Sequence, residues 1–291
     1  MGFWGADLRV GIVDLMPRPG LAHRQFADMI TAAGLPVEIV AIPLPMGADV
    51  ADPAACGLDW RLMAAMDGLI VTGTEPRSPS LHADPMRAIV ARILEVGAPS
   101  TIFSCFAAHA ALSVLHPIQR EPLPVKYRGV LPHTAAHHPL TEGLPEGTPV
   151  PHSRWNRVRL PAEIVPVLVT ADDWHLAASA DGLRHIFFQG HPEYDADTLF
   201  REYRRDARRY LAGETSWFPE LPTGFLDGDT RAALLAFRAL AMARREPSVM
   251  DRFPTAGFID RCTATWTDAA RCVTTNWLTA LATAREAVPA A

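Results

Sequence analysis

Ser100-Thr-Ile-Phe-Ser-Cys105-Phe-Ala-Ala-His-Ala-Ala-Leu-Ser-Val-Leu115 joins a short apolar run to small apolar residues at helical spacing, with a cysteine at the junction. Thr101 to Ser104 reads as a buried parallel strand, and Phe106 to Leu115 as the helix after it. Strand, nucleophile and helix together form a nucleophile elbow, here with sulfur in place of oxygen. Such a turn lifts the thiol above the sheet edge at a helix N-terminus, where N–H groups and the helix dipole favour the thiolate. The backbone N–H of Phe106 is then a candidate oxyanion donor. A buried structural cysteine is the other reading of the same residue.

Ile186-Phe-Phe-Gln-Gly-His191-Pro-Glu193-Tyr-Asp195 is a second apolar strand, ending in Gly and His. In an extended segment Glu193, at i+2, points to the same side as His191 and can orient its ring. Cys105, His191 and Glu193 from two strand ends make a nucleophile–base–carboxylate triad. Met66 to Gly73 is a further strand ending in a Gly turn. Its carboxyl end belongs beside the elbow, since ligands collect at that edge of a parallel sheet. The N–H of Gly73 or Thr74 is the candidate for the second oxyanion donor, and an ordinary tight turn is the alternative.

Working outward, Leu8 to Leu15, a helix over Ala22 to Ala33 stopped by Gly34, and Val37 to Ile42 make a βαβ opening, so a parallel sheet follows. Residues 43–66 read as a Pro- and Ala-rich loop with room for one short helix. Asp84 to Val96 is the next helix. Lys126 to Leu131 is a strand leading into a loop with His133, His137 and His138. Their spacing matches no standard zinc motif, so no metal site is expected. Pro151 to Arg157 reads as a polar cluster between strands, and Val167 to Thr170 and Leu176 to Ala180 as short strands. Asp197 to Leu211 is a helix placing Glu202 and Arg205, at i and i+3, on one face. Residues 212–230 form a linker, followed by helices over Thr230 to Arg244 and within Phe258 to Thr283. The expected organisation is an α/β core over 1–211 with a helical extension over 212–291, packed on the core or forming a dimer surface.

The whole composition narrows the function classes. With 49% hydrophobic residues in 291, the chain can bury one large core. A net charge of −5 and no basic stripe argue against nucleic acid. The run Arg201, Arg204, Arg205, Arg208, Arg209 is interleaved with Glu202 and Asp206, which suits a solvated helix face. No apolar run reaches a membrane span. Met1 to Arg9 has no signal-peptide pattern, and the four cysteines are scattered, so a cytoplasmic protein with reduced thiols is expected.

These motifs in this order resemble the homoserine O-succinyltransferases and their acetyl-transferring relatives. The resemblance rests on Val13-Asp-Leu-Met-Pro17, Asp67 to Gly73, Cys105 with Ala108 and Ala111-Leu112, Lys126 with Gly129-Val130, Pro151 to Arg154, and Gly190 to Asp195 followed by Glu202 and Arg205. It implies a three-layer, mostly parallel α/β fold of the class I glutamine amidotransferase type with added C-terminal helices, and a homodimer. It implies acyl transfer from succinyl-CoA or acetyl-CoA through Cys105 to the hydroxyl of homoserine or a serine-like amino acid, with no bound cofactor. By the same resemblance His191 is the base and Glu193 the third triad member. Lys126 is an active-site lysine, Ser153 and its neighbour Arg154 fall in the substrate site, and Glu202 and Arg205 recognise the amine and carboxylate. The chain departs from the family after Gly73, at Phe106 where Trp is usual, and at His109 where Gln is typical nearby. A succinyl donor needs a cation near its distal carboxylate, for which Arg77 and Lys126 are the candidates, with Glu75 opposing. A glutaminase, a Cys hydrolase and a non-catalytic binding module are the competing classes.

Overall fold

In β1 (Leu8–Asp14), Val10 and Ile12 enter one apolar cluster while Val13 enters another on the opposite face. Two-residue periodicity with both faces apolar is what a sheet covered on both sides requires. The computed structural model describes residues 8–255 and 262–287. After β1 come α1 (Leu21–Ala32), β2 (Val37–Pro43), the short α2 (Trp60–Ala64), β3 (Gly68–Val71), α3 (Pro85–Val96), β4 (Thr101–Ser104) and α4 (Phe106–Leu115). Next are β5 (Arg120–Ala135), β6 (Thr148–Val158), β7 (Ile164–Val169), β8 (Trp174–Ser179) and β9 (His185–Phe188). Three helices follow, α5 (Thr198–Leu211), α6 (Gly228–Ala243) and α7 (Thr267–Glu286).

The strands form one mixed sheet in the order β2-β1-β3-β4-β9-β8-β7-β5-β6. Pairings from β2 across to β9 are parallel and the rest antiparallel. The parallel half aligns the carboxyl ends of β3, β4 and β9, which carry Gly73, Cys105 and His191. On one face α3 and α4 pack through Met86, Ile89, Ala107 and Ala111; on the other, α1 and α7 pack through Phe26, Ile30, Trp277 and Leu278. These are the three layers that the sequence resemblance implies.

The chain beyond Leu211 is built into this body. Trp277 donates its indole N–H to Ser100 Oγ at 2.9 Å, and a Cβ on Gly68 would sit 2.8 Å from the Trp277 ring. Only glycine lets the helix approach β3 so closely. Helix α6 shares a separate apolar cluster with α5 through Phe237, Tyr203 and Phe253. Among the described residues no helix is long and apolar enough to cross a membrane.

Two sequence readings change. Pro151 to Arg157 is the interior of β6 rather than a connection, because its polar side chains find partners across the hairpin with β5 and beyond it. His133 lies on β5 and stacks on His152, with ring centroids 5.1 Å apart, instead of belonging to a loop. The last helix starts at Thr267, and Phe258 lies outside the described residues. Strand β5 is also longer than expected: its pairing with β6 slips between Pro122 and Tyr127, where two prolines cannot donate ladder hydrogen bonds. Lys126 stands at that irregularity and reaches α5.

Candidate active site

Cys105 is the sole non-glycine residue with positive φ among the described residues, at φ 51° and ψ −110°. That conformation is costly for an L residue and belongs to the elbow turn. Its N–H is tied to the Phe188 carbonyl at 2.7 Å, so β9 holds the turn in place. Phe106 is the first residue of α4, and its N–H is one of those a helix leaves without an intrahelical acceptor. A Cβ on Gly73 would lie 3.2 Å from Cys105 Cβ and 3.7 Å from Phe106 N, so the β3 turn abuts the elbow. The two expected oxyanion elements, Phe106 and the Gly73–Thr74 turn, line one cavity with Cys105.

His191 Nδ1 lies 2.8 Å from Glu193 Oε1, and both side chains are nearly buried. The contact does not come from extended chain, as the sequence reading assumed. Pro192 starts a turn closed by the Tyr194 N–H on the His191 carbonyl at 3.2 Å, which folds Glu193 back against the ring. Tyr194 stacks on the other side of the imidazole, centroids 4.3 Å apart. The loop backbone is pinned as well: His191 N–H donates to the Pro151 carbonyl at 2.8 Å and Gly190 N–H to His175 Nδ1 at 3.1 Å.

The charges cooperate. Burial alone pushes the Cys105 thiol up, but the charge and hydrogen bond of His191 outweigh it and the net shift is downward. Burial alone pushes His191 down; Glu193 and the Cys105 thiolate outweigh it and hold the imidazole well above its ordinary value. Both shifts describe a thiolate–imidazolium pair steadied by a carboxylate. Arg154 adds a positive field at Cys105 while its guanidinium is held by Asp173 at 2.5 Å and the Asn156 carbonyl at 2.9 Å.

A second charged group is built around Glu202 on α5. Glu202 Oε2 accepts from Ser153 Oγ, Lys126 Nζ approaches it at 3.8 Å, and Arg205 Nη1 lies 3.8 Å from Oε1. Asp206 gathers the cations behind them: it accepts from Arg128, from Lys126 Nζ at 3.2 Å and from Arg205 Nε at 3.0 Å. Burial would raise the carboxyls of Glu202 and Asp206, yet Lys126 and the arginines bring both below their ordinary values. Glu202, Arg205, Ser153 and Lys126 share a cavity of about 590 Å³ with the triad. It thus offers an anionic and a cationic group beside a thiolate, the set an amino acid with a reactive hydroxyl would need.

A sequence model described as homoserine O-succinyltransferase matches residues 5–286. A homoserine O-succinyltransferase of Methylorubrum extorquens is 38% identical, over 93% of this chain and 86% of the relative. One of Rhodopseudomonas palustris is 42% identical over 75% of this chain and 68% of the relative. The chain belongs to the homoserine O-succinyltransferase family. Among solved structures, a glutamine amidotransferase of Thermotoga maritima superposes with a TM-score of 0.55 at 10% identity, covering 96% of this chain and 99% of that one. At that identity the likeness shows the fold alone, and the fold is the one expected from the sequence.

Within this family frame, four residues at the site went unread in the sequence. Asp206 acts through groups distant in sequence, and Tyr194, though inside the Gly190 to Asp195 stretch, was given no role there. Arg120 lines the cavity from the start of β5. His109 is buried on α4 with Nε2 3.1 Å from Gln189 Oε1, an oxygen that also accepts from the Val158 N–H. Burial, with Arg120 and Arg154 nearby, lowers the His109 pKa to about 3. His152 and His175 are likewise held well below their ordinary value by burial.

An acid-stability signature follows. A folded-state pKa below the unfolded value of 6.5 means His109 contributes stability in full above pH 6.5 and loses it as pH falls toward 3. Each such histidine steepens the loss by up to about 1.4 kcal/mol per pH unit. Denaturant unfolding of His109→Gln is expected to show a shallower decline between pH 6 and 4, by about one proton of linkage. An unchanged slope would contradict a neutral buried His109.

Proposed function

We propose that the protein is a homoserine O-succinyltransferase working by ping-pong acyl transfer through Cys105. The observation that carries this reading is the convergence of the Cys105–His191–Glu193 triad and the Glu202–Arg205 pair in one cavity; family membership supplies the donor. The Cys105 thiolate attacks the thioester carbonyl of succinyl-CoA, forming a new C–S bond, and the oxyanion takes hydrogen bonds from Phe106 N–H and the Gly73–Thr74 turn. The intermediate collapses with cleavage of the bond to coenzyme A, whose sulfur leaves with the proton of imidazolium His191. Homoserine then binds with its ammonium at Glu202 and its carboxylate at Arg205. Neutral His191 removes the hydroxyl proton as the oxygen attacks the acyl-cysteine. Collapse forms the ester and returns the Cys105 thiolate and imidazolium. One thioester is exchanged for another in the first half-reaction, so positioning counts for more than driving force.

Asp206 fits as the anchor that fixes Arg205 through Nε while the far nitrogens face the acceptor. Arg205→Lys loses the planar fork. Its homoserine KM is expected to rise roughly 10- to 100-fold, on the scale of one charge-assisted hydrogen bond, with a much smaller change in succinyl-CoA KM. An unchanged homoserine KM would contradict the clamp. The function itself is tested by following thiol release and ester formation with succinyl-CoA or acetyl-CoA against homoserine or serine. Continuous thiol release requiring both succinyl-CoA and homoserine is expected, with no more than one equivalent per protein released by succinyl-CoA alone. Ammonia release from glutamine with no thioester consumption would replace the transferase reading with an amidase.

A further inference from the structure

The cavity cations divide sharply by partner. Lys126 is held by Asp206 and Glu202, Arg205 by Asp206, Arg154 by Asp173, and Arg201 by Asp197 at 2.6 Å. Arg18 is exposed at the mouth, and Arg77 stands on an exposed loop. Arg120 differs from all of these. It is half-buried, it forms no salt bridge among the described residues, and its Nε is buried without a hydrogen-bond partner. Its guanidinium carbon lies 5.6 Å from the centroid of the Phe106 ring, on the residue next to the nucleophile.

No carboxylate among the described residues touches that charge: the Cys105 thiolate and Asp84 favour it through space, and the thiolate's share is lost once Cys105 carries an acyl group. Asp84 contributes at a distance, but its carboxylate is occupied by the N–H groups of Arg77, Ser78 and Met86 at 2.7 to 3.0 Å. Glu75 lines the same cavity from an exposed position. His109, nearby, is neutral and already engaged with Gln189. Withdrawing a guanidinium from water without a partner is costly, and the cost is offset when a ligand anion supplies the partner. The aromatic ring beneath orients the guanidinium plane, leaving its fork of donors for a carboxylate.

We propose that Arg120 is the specificity-determining residue for the acyl donor, binding the distal carboxylate of the succinyl group while its thioester carbon lies at Cys105. This assignment rests on the succinyl-transfer reading above. It replaces Arg77 and Lys126, the cations that sequence alone suggested for this role. Donors with a terminal carboxylate are selected over neutral donors of the same length.

The test compares kcat/KM for succinyl-CoA and butyryl-CoA, which has the same chain length and no carboxylate, at saturating homoserine. The wild-type protein is expected to prefer succinyl-CoA strongly. Arg120→Met is expected to reduce that preference roughly 100-fold, and Arg120→Lys roughly tenfold, as expected for losing a bidentate charged contact or only its geometry. If Arg120→Met does not fold, Arg120→Gln carries the same comparison. A succinyl-to-butyryl ratio that stays within twofold of wild type, or equal losses with both donors, would overturn the role of Arg120 alone. Failure of the wild-type protein to use succinyl-CoA at all would overturn the underlying reading and this inference with it.

Discussion

Cys105→Ala is expected to lower succinyl transfer by roughly four to six orders of magnitude, the scale on which removal of a nucleophile abolishes covalent catalysis. No other thiol can substitute. Cys56 is buried, and burial pushes Cys262 up to about 11 and raises Cys272, so both favour the unreactive thiol. The substitution removes the strained elbow residue's function without removing its neighbours: Phe188, Gly73 and the N-terminus of α4 remain. The variant should still bind homoserine at Glu202 and Arg205, measurable by calorimetry. Residual transfer within tenfold of wild type would mean that the cysteine is not the nucleophile.

Glu193→Gln is expected to cost roughly 10²- to 10⁴-fold in kcat/KM, comparable to neutralising the carboxylate of a triad. The carboxylate lies 2.8 Å from His191 Nδ1 and is one of the two partners that raise the imidazole pKa against its burial. An amide supplies no charge and can present an N–H to Nδ1, favouring the wrong tautomer. The imidazole pKa then falls, and with it the force that lowers the thiol pKa. The Glu193 charge by itself raises the Cys105 thiol, but the imidazolium it sustains lowers it more, so the Cys105 pKa is expected to rise and the alkylation rate of Cys105 plotted against pH to shift to higher pH. A structural role for Glu193 would lower stability without moving that profile, which separates the two accounts.

What was legible in the sequence was what is local. The elbow is contiguous, so strand, cysteine and helix could be read as a unit, and His191 and Glu193 are two positions apart. Their contact was anticipated for the wrong geometric reason, because Pro192 converts an expected extended pair into a turn. Ser153 and Arg154 could not be placed on a strand from pattern alone. Their polarity resembles a loop until Glu202 and Asp173 are seen to satisfy it. Asp206 meets Lys126 and Arg128 across 80 and 78 positions of chain, and Trp277 meets Ser100 across 177. No periodicity records such pairings. Arg120 was hidden for a related reason: what distinguishes it is an absent partner at a half-buried position, and that becomes visible only when the other cations inside the cavity are seen to be paired and Arg18 is seen to be exposed.

The central claim is that the acyl group passes through Cys105, and intact-protein mass spectrometry tests it most directly. Protein incubated with succinyl-CoA in the absence of acceptor should gain one succinyl group, lose it on addition of homoserine, and gain nothing when Cys105 is replaced by Ala. Turnover without any adduct on rapid quenching, or an adduct that persists in Cys105→Ala, would contradict the account.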